Sequence, residues 1–272
     1  DNSINVLSLT ELKAGEDYKP GITTANCGVA VIKYIEKAVD LIKKGLFEGV
    51  VTCPISKKAL KMAGYDWPGH TEFIAYLDNS SRFAMMLTVD NIRVVLVTTH
   101  IALKDVPKSI SKEKIIEKAV LIDEFLRKRL FIEKPKIGIL SLNPHAGEGG
   151  NFGDEEIRII EPAIKELKEI GIDAYGPLPS DSAFYFHKEG VYDAIVAMYH
   201  DQGIIPVKFH GFDRGINVTL GLSFIRTSPD HGTAFEISGK GVASINSFVE
   251  AYRFVQKIKN PQGIPPGDAN KK

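Results

Sequence analysis

Three of the seven histidines in this sequence stand at the ends of apolar runs. His100 closes "IRVVLVTTH", His145 closes "KIGILSLNPH" and His200 closes "DAIVAMYH". In open α/β sheets, ligands bind outside the carboxyl ends of the strands, so side chains delivered there are the ones that meet a substrate. Three imidazoles on such an edge can share one metal ion and leave coordination positions for water or substrate. The alternative for each histidine is a hydrogen-bonded loop residue, and the recurrence of the position is what argues for ligation. Asp201, next to His200, can accept the second ring N–H of a ligating imidazole.

The stretch "PVKFHGFDRGINVTLGLSFIRTSPDHGTAFEISGKGVA" (206–243) sets two cations, Lys208 and Arg226, among apolar residues. An unpaired buried cation is costly, so each implies an anion, either an internal carboxylate or a substrate group. The planar fork of Arg226 suits carboxylate or phosphate, whereas Lys208 supplies a point charge. Asn217 can donate to a substrate oxygen or hold a turn. In "WPGHTEF" (67–73), His70 and Thr71 fall at a helix start, where Thr71 is an N-cap or part of a phosphate site. The glycine-rich "NPHAGEGGNFGDEE" (143–156) lets backbone approach a ligand or simply turns; it is neither a dinucleotide fingerprint nor a P-loop.

The elements that must position these residues alternate between two patterns. Short β-rich runs occur at 49–54, 83–89, 92–100, 136–145 and 193–200, with helical stretches between many of them. The stretch 29–45 puts Ile32, Ile35, Val39 and Ile42 on one face and ends at Gly45. Ser111 is placed to cap a helix over 111–130. A third helix, over 153–171, starts on acids that suit the helix dipole and contains Pro162, which kinks or breaks it. Only Asp90-Asn91 separates the runs 83–89 and 92–100, which makes them a hairpin. The class is therefore α/β, with mixed, mostly parallel sheets flanked by helices in two lobes with a cleft. The polar tail "NPQGIPPGDANKK" is expected to fray.

Lysine plus arginine and aspartate plus glutamate balance at 34 each, which gives no electrostatic reason to expect nucleic acid or an anionic membrane. Cys27 and Cys53 have no metal-like spacing and fit reduced thiols. No apolar run reaches membrane-spanning length, and the opening residues do not read as a signal peptide. The expectation is a soluble protein of the cytoplasm.

Taken in order, "PGHTEF", "TTH", "LNPHAGEGG", "MYHDQG", "NVTLGL", "FIRTSPDHGTA" and "GKG" resemble the 4-hydroxythreonine-4-phosphate dehydrogenase family of vitamin B6 biosynthesis. The resemblance runs from about Gly45 to the C-terminal helix. It implies NAD(P)-dependent oxidation of 4-phosphooxy-L-threonine with one divalent metal ion (zinc, magnesium or cobalt), followed by loss of CO2 from the β-keto acid. The family's metal ligands fall on His100, His145 and His200, and its substrate contacts on His70, Thr71, Lys208, Asn217 and Arg226. Lys208, Asp201 and metal-bound water are the candidates for the base. The family is homodimeric with the active site at the subunit interface, so the three ligands need not come from one chain. The implied lobes are 1–68 with 245–272, and 69–244 for metal and substrate.

The segment "HGTAFEISGKGVA" (231–243) is similar to the adenosine-binding segment of isocitrate and isopropylmalate dehydrogenases. That similarity places His231, Gly232, Thr233 and Glu236 at the cofactor. A carboxylate there repels a 2′-phosphate, which favours NAD over NADP. The family's opening strand and "GDPAGIG"-like turn are not present, so a sheet short of its first strands, with an exposed edge, is expected. Paralogues similar to this family that oxidise 4-phospho-D-threonate or 4-phospho-D-erythronate share the metal histidines. Two further alternatives are a phosphate acyltransferase of related fold and an inactive binding remnant.

Overall fold

Thr24 accepts a hydrogen bond from the Cys27 backbone N–H and so starts the first helix, α1 (Ala25–Lys43). Its Ile32, Ile35 and Val39 are buried, and Gly45 follows with φ +74°, the left-handed turn that ends many helices. The computed structural model describes residues 4–259, so the polar tail lies outside the described residues. After α1 come β1 (Gly49–Val51), α2 (Lys57–Met62), α3 (His70–Asp78), β2 (Ala84–Val89), β3 (Ile92–Leu96), α4 (Val106–Ser109) and α5 (Lys112–Leu130). Then follow β4 (Lys136–Leu140), α6 (Glu161–Glu169), β5 (Asp173–Leu178), α7 (Ser180–Lys188), β6 (Ala194–Ala197), α8 (His200–Gly211), β7 (Ile216–Leu220), β8 (Ile225–Pro229) and α9 (Asn246–Lys259).

Among the described residues the strands form one sheet in the order β1-β8-β7-β2-β3-β6-β4-β5. β2 and β3 are the expected antiparallel hairpin, with Asp90 at φ 52° in its turn. β3, β6, β4 and β5 run parallel to one another, and β1 runs parallel to β8. The sheet is therefore mixed and mostly parallel, as the alternation of patterns implies. Because β3, β6 and β4 are adjacent and parallel, the chain leaves all three at the same edge.

One face packs against α5, α6 and α9 through residues such as Ile115, Leu126, Leu167, Ile137, Val196, Val218 and Ala251. The other packs against α7 and α8, where Ala183 and Val207 meet Leu87, Val94, Ile195 and Ala197. Beyond β7 and β8 the helices α1 to α3 enclose Ile32, Leu60 and Ile74 with Leu222 and Phe224. Each fully buried aliphatic side chain of this kind contributes roughly 1.5–3 kcal/mol, which holds the strand ends in place.

Ser111 caps α5 by accepting from the Lys114 N–H, as its position predicts. The single helix expected over 153–171 is instead a π-helical turn (Glu156–Ile160) running into α6. Pro162 lies in the first turn of α6, directly after the π-helical turn, so its missing N–H falls at the junction where the helix changes type. Thr71 does not cap α3: the cap is Gly69, which makes no side-chain bond, and Thr71 lies inside the first turn.

Candidate active site

The three histidines of the apolar runs arrive on one edge of the sheet. His100 lies four residues beyond the end of β3, His145 five beyond β4, and His200 is the first residue of α8, three beyond β6. The rings of His100 and His200 lie side by side, with centroids 5.7 Å apart. His200 Nδ1 is bonded to Asp201 Oδ1 at 2.7 Å, which leaves Nε2 for another partner. That is the carboxylate–histidine arrangement that fixes the tautomer of a metal ligand. His145 stands on the next strand end, against Phe152 at 6.1 Å, in a run of left-handed residues from His145 to Gly149. Among the described residues no three His, Cys, Asp or Glu side chains gather into one metal cluster. The chain therefore brings His100 and His200 together and leaves His145 one strand away. Two imidazoles placed together, one of them oriented by a carboxylate, fit a divalent transition-type metal, and the pair is an incomplete set for it.

On the α8 face of the sheet, β1, β8 and β7 present a polar floor. Arg226 on β8 is 3% exposed, and its partners are threonine hydroxyls. Nη2 and Nε donate to Thr52 Oγ1 at 2.7 and 3.1 Å, and Nη1 donates to Thr219 Oγ1 at 3.1 Å and Thr71 Oγ1 at 3.5 Å. Among the described residues no carboxylate forms an ion pair with it. Burial pushes its pKa down to about 10, with Glu72 opposing, so the guanidinium stays charged at neutral pH. A buried cation with only neutral partners is costly in the free protein and favours an incoming anion. His70 and Thr71 open α3 beside it, where the unbonded N–H groups of a helix start also favour an anion.

His70 is held neutral, its pKa pushed down to about 3 by burial and then by the Arg226 charge. The unfolded chain therefore binds a proton that the folded one refuses between pH about 6.5 and about 3. Stability on this account is intact above pH 6.5 and is lost as pH falls toward 3. His70→Gln is expected to flatten that part of the acid unfolding profile, as read by denaturant midpoints across the range. A profile unchanged by the substitution contradicts this burial of a neutral imidazole.

Lys208 lies eight residues along α8 from His200, about 12 Å at the rise of a helix. Its Nζ pairs with Asp230 Oδ2 at 2.7 Å and donates to the Asp230 carbonyl at 2.8 Å. The internal carboxylate is thus the partner of Lys208, whereas Arg226 has none. Asn217 on β7 shares the face with Arg226, and its Oδ1 is buried without a hydrogen-bond partner, an acceptor free for a substrate donor. His231, Gly232, Thr233 and Glu236 are exposed on the segment after β8, and His231 Nδ1 bonds the neighbouring Gly232 carbonyl. Nothing in their contacts ties them to the histidine edge.

Several residues of this region do not stand out in the sequence. Thr52 and Thr219 cage Arg226, and the alternation of Asn217 and Thr219 on one face of β7 is the available signal. Gln202, Glu156 and Asp230 have no local signature, because their partners lie far away in the chain or on its backbone.

The family model described as "Pyridoxal phosphate biosynthetic protein PdxA" matches residues 1–255. The chain is 46% identical to the 4-hydroxythreonine-4-phosphate dehydrogenase of Beijerinckia indica over 261 residues, covering 96% of this chain and 77% of that protein. It is 43% identical to the D-threonate 4-phosphate dehydrogenase of Salmonella typhimurium, covering 89% of this chain and 74% of that protein. A crystal structure of the 4-hydroxythreonine-4-phosphate dehydrogenase of Klebsiella pneumoniae superposes with TM-score 0.83 at 41% identity, covering 89% of this chain and 74% of that one. The family model covers residues 1–255 and the relatives exceed 40% identity over most of the chain, so the chain belongs to the PdxA family of pyridoxal phosphate biosynthetic proteins.

Proposed function

We propose that this protein oxidises 4-phosphooxy-L-threonine with NAD to 2-amino-3-oxo-4-phosphooxybutanoate, which loses CO2 to give 3-amino-2-oxopropyl phosphate. The observation that carries the reading is Arg226, a buried cation with hydroxyl partners only, beside a helix start bearing His70 and Thr71. A phosphate dianion there supplies a hydrogen-bonded counter-charge in place of neutral hydroxyl partners. Asn217 Oδ1, buried and unpaired, accepts from the substrate's ammonium or hydroxyl group. Lys208, a cation of α8 ion-paired to Asp230, is the candidate for moving the hydroxyl proton. Asp201 is committed to His200 and orients it.

His100, His145 and His200 are the residues to hold one zinc, magnesium or cobalt ion, and His231, Gly232, Thr233 and Glu236 those to hold the nicotinamide cofactor. When bound, the metal supplies Lewis-acid polarisation of the C3 oxygen and the cofactor accepts the C3 hydride. Glu236 is free to accept from a ribose hydroxyl, which favours NAD over NADP.

A second copy of the chain completes the site in this reading. Within one chain the histidine edge and Lys208 lie about two helical turns apart, and His145 is separated from the His100–His200 pair. Along α8 Ile205 and Phe209 are exposed, as is Phe212 just past its end, with Phe209 94% exposed, an apolar stripe at helical spacing. Such a stripe, continuous with both half-sites, fits a self-complementary interface. Phe209→Asp is expected to convert a dimer into a folded monomer with little activity, seen by sedimentation and circular dichroism. A wild-type monomer, or an active monomeric variant, contradicts a shared site.

The substrate is tested by comparing kcat/KM for 4-phosphooxy-L-threonine and 4-phospho-D-threonate under identical conditions. At least a tenfold preference for the first is the expected result. The reverse preference assigns the protein to the threonate or erythronate phosphate reaction, which the Salmonella relative's name makes the alternative.

A further inference from the structure

The motif that carries His200 contains a second group whose purpose lies elsewhere on the edge. The ladder between β6 and β4 ends at the pair Ile139 and Val196, and the two chains then part as one turns into α8. Gln202, 9% exposed, fills the gap that opens. Its Oε1 accepts from the Met198 backbone N–H at 2.6 Å, and its Nε2 donates to the Ser141 carbonyl at 2.7 Å and to Ser180 Oγ at 2.7 Å. One side-chain amide thereby takes the place of a peptide group between two strands.

The row continues on both sides. The Thr98 N–H and Oγ1 donate to the Met198 carbonyl at 3.2 and 2.7 Å, joining the end of β3 to that of β6. The Ser141 N–H donates to the Leu178 carbonyl at 2.8 Å, joining the end of β4 to that of β5. Beyond Ser141, the Leu142 and Asn143 N–H groups both donate to Oε1 of Glu156, itself 1% exposed, at 2.7 and 2.8 Å. Thr98 is two residues before His100, Met198 two before His200, and Asn143 two before His145. A buried hydrogen-bonded bar therefore spans the three histidine-bearing ends, with Gln202 as the link that has no backbone substitute. Gly203 allows this: a Cβ there would meet Leu96 Cδ2 at 2.6 Å, so the first turn of α8 sits directly on β3.

We propose that Gln202 is a positioning residue for metal binding, setting the end of β6 with His200 in register with the end of β4 that leads to His145. The proposal rests on the reading of His100, His145 and His200 as metal ligands. Outer partners that orient ligands are typically worth about 10–100-fold in metal affinity. A side chain that only stabilised the fold would shift melting temperature without shifting that affinity.

The test is titration of the full chain with Co2+, read by calorimetry and by the visible bands of the bound ion, in wild type, Gln202→Met, Gln202→Glu and His200→Ala. Gln202→Met removes all three bonds at near-constant volume. Gln202→Glu keeps the acceptor for Met198 but sets an oxygen against the Ser141 carbonyl, and it carries the test if the methionine variant does not fold. The expected result is cobalt affinity reduced about 10–100-fold in the Gln202 variants, with altered bands and a native circular dichroism spectrum. Wild-type affinity and bands in a Gln202 variant, with His200→Ala weakened, overturn the inference alone. Equal affinity in wild type and His200→Ala removes the metal reading and the inference with it.

Discussion

Arg226→Met is expected to leave a folded protein that no longer turns over a phosphorylated substrate. Charge-assisted hydrogen bonds contribute about 1.5–3 kcal/mol each, so losing two from a phosphate lowers kcat/KM about 10²–10⁴-fold. The same substitution removes a buried charge whose partners are only Thr52, Thr71 and Thr219 hydroxyls. Replacing a desolvated cation by an apolar side chain of similar length is often neutral or stabilising. The melting temperature without ligand is therefore expected to stay level or rise. Phosphate or substrate stabilises wild type by mass action and leaves the variant unmoved. A fall of several degrees together with no phosphate-dependent shift in wild type would make Arg226 a structural residue.

His200→Ala is expected to cost on the order of 10³-fold in kcat, because Lewis-acid stabilisation of a developing alkoxide is worth several kcal/mol. His100→Ala, whose ring lies 5.7 Å from that of His200, is expected to match it. Asp201→Asn separates two roles for the neighbouring carboxylate. As the group that orients His200 through a 2.7 Å bond, its loss weakens metal binding about 10–100-fold, and excess metal restores turnover. If Asp201 were the base, excess metal would restore nothing, and the pH–rate profile would lose its acidic limb.

Much of the frame is legible in the sequence because its signals are local. The apolar run ending at His200, the two-residue turn at Asp90-Asn91 and the capped, periodic helix after Ser111 each declare themselves within ten or twenty residues, and the structure has them all. β5 does not, since Gly176 and Pro177 interrupt its alternation. α8 is harder still: Gly203, Pro206 and Gly211 lower its helix propensity, and it forms because Val207 and Ile204 pack on the sheet. β7 and β8 are short runs in a segment whose charged residues draw attention to chemistry rather than to strands.

The candidate site divides along the same line. Single residues that carry charge or an imidazole can be picked out by type and position, as His100, His145, His200 and Arg226 were. What surrounds them cannot, because the contacts are long-range. Thr52 lies 174 positions from Arg226, and the Gln202 amide reaches back 61 positions to Ser141. Lys208 shows the cost: its apolar neighbours in sequence give no hint of Asp230, 22 positions on, which pairs with it. Thr71 is similar, an N-cap by local rules and in fact a hydroxyl partner of Arg226.

The central claim is a metal-dependent, NAD-linked oxidation of 4-phosphooxy-L-threonine. Its most direct test is NADH formation from that substrate by the purified chain, first as isolated, then after exhaustive chelation, then with Zn2+, Mg2+ or Co2+ restored. The account predicts turnover that chelation abolishes and metal returns. NADH formation that persists undiminished after chelation, or a fully metal-loaded protein that forms none with this substrate, would contradict it.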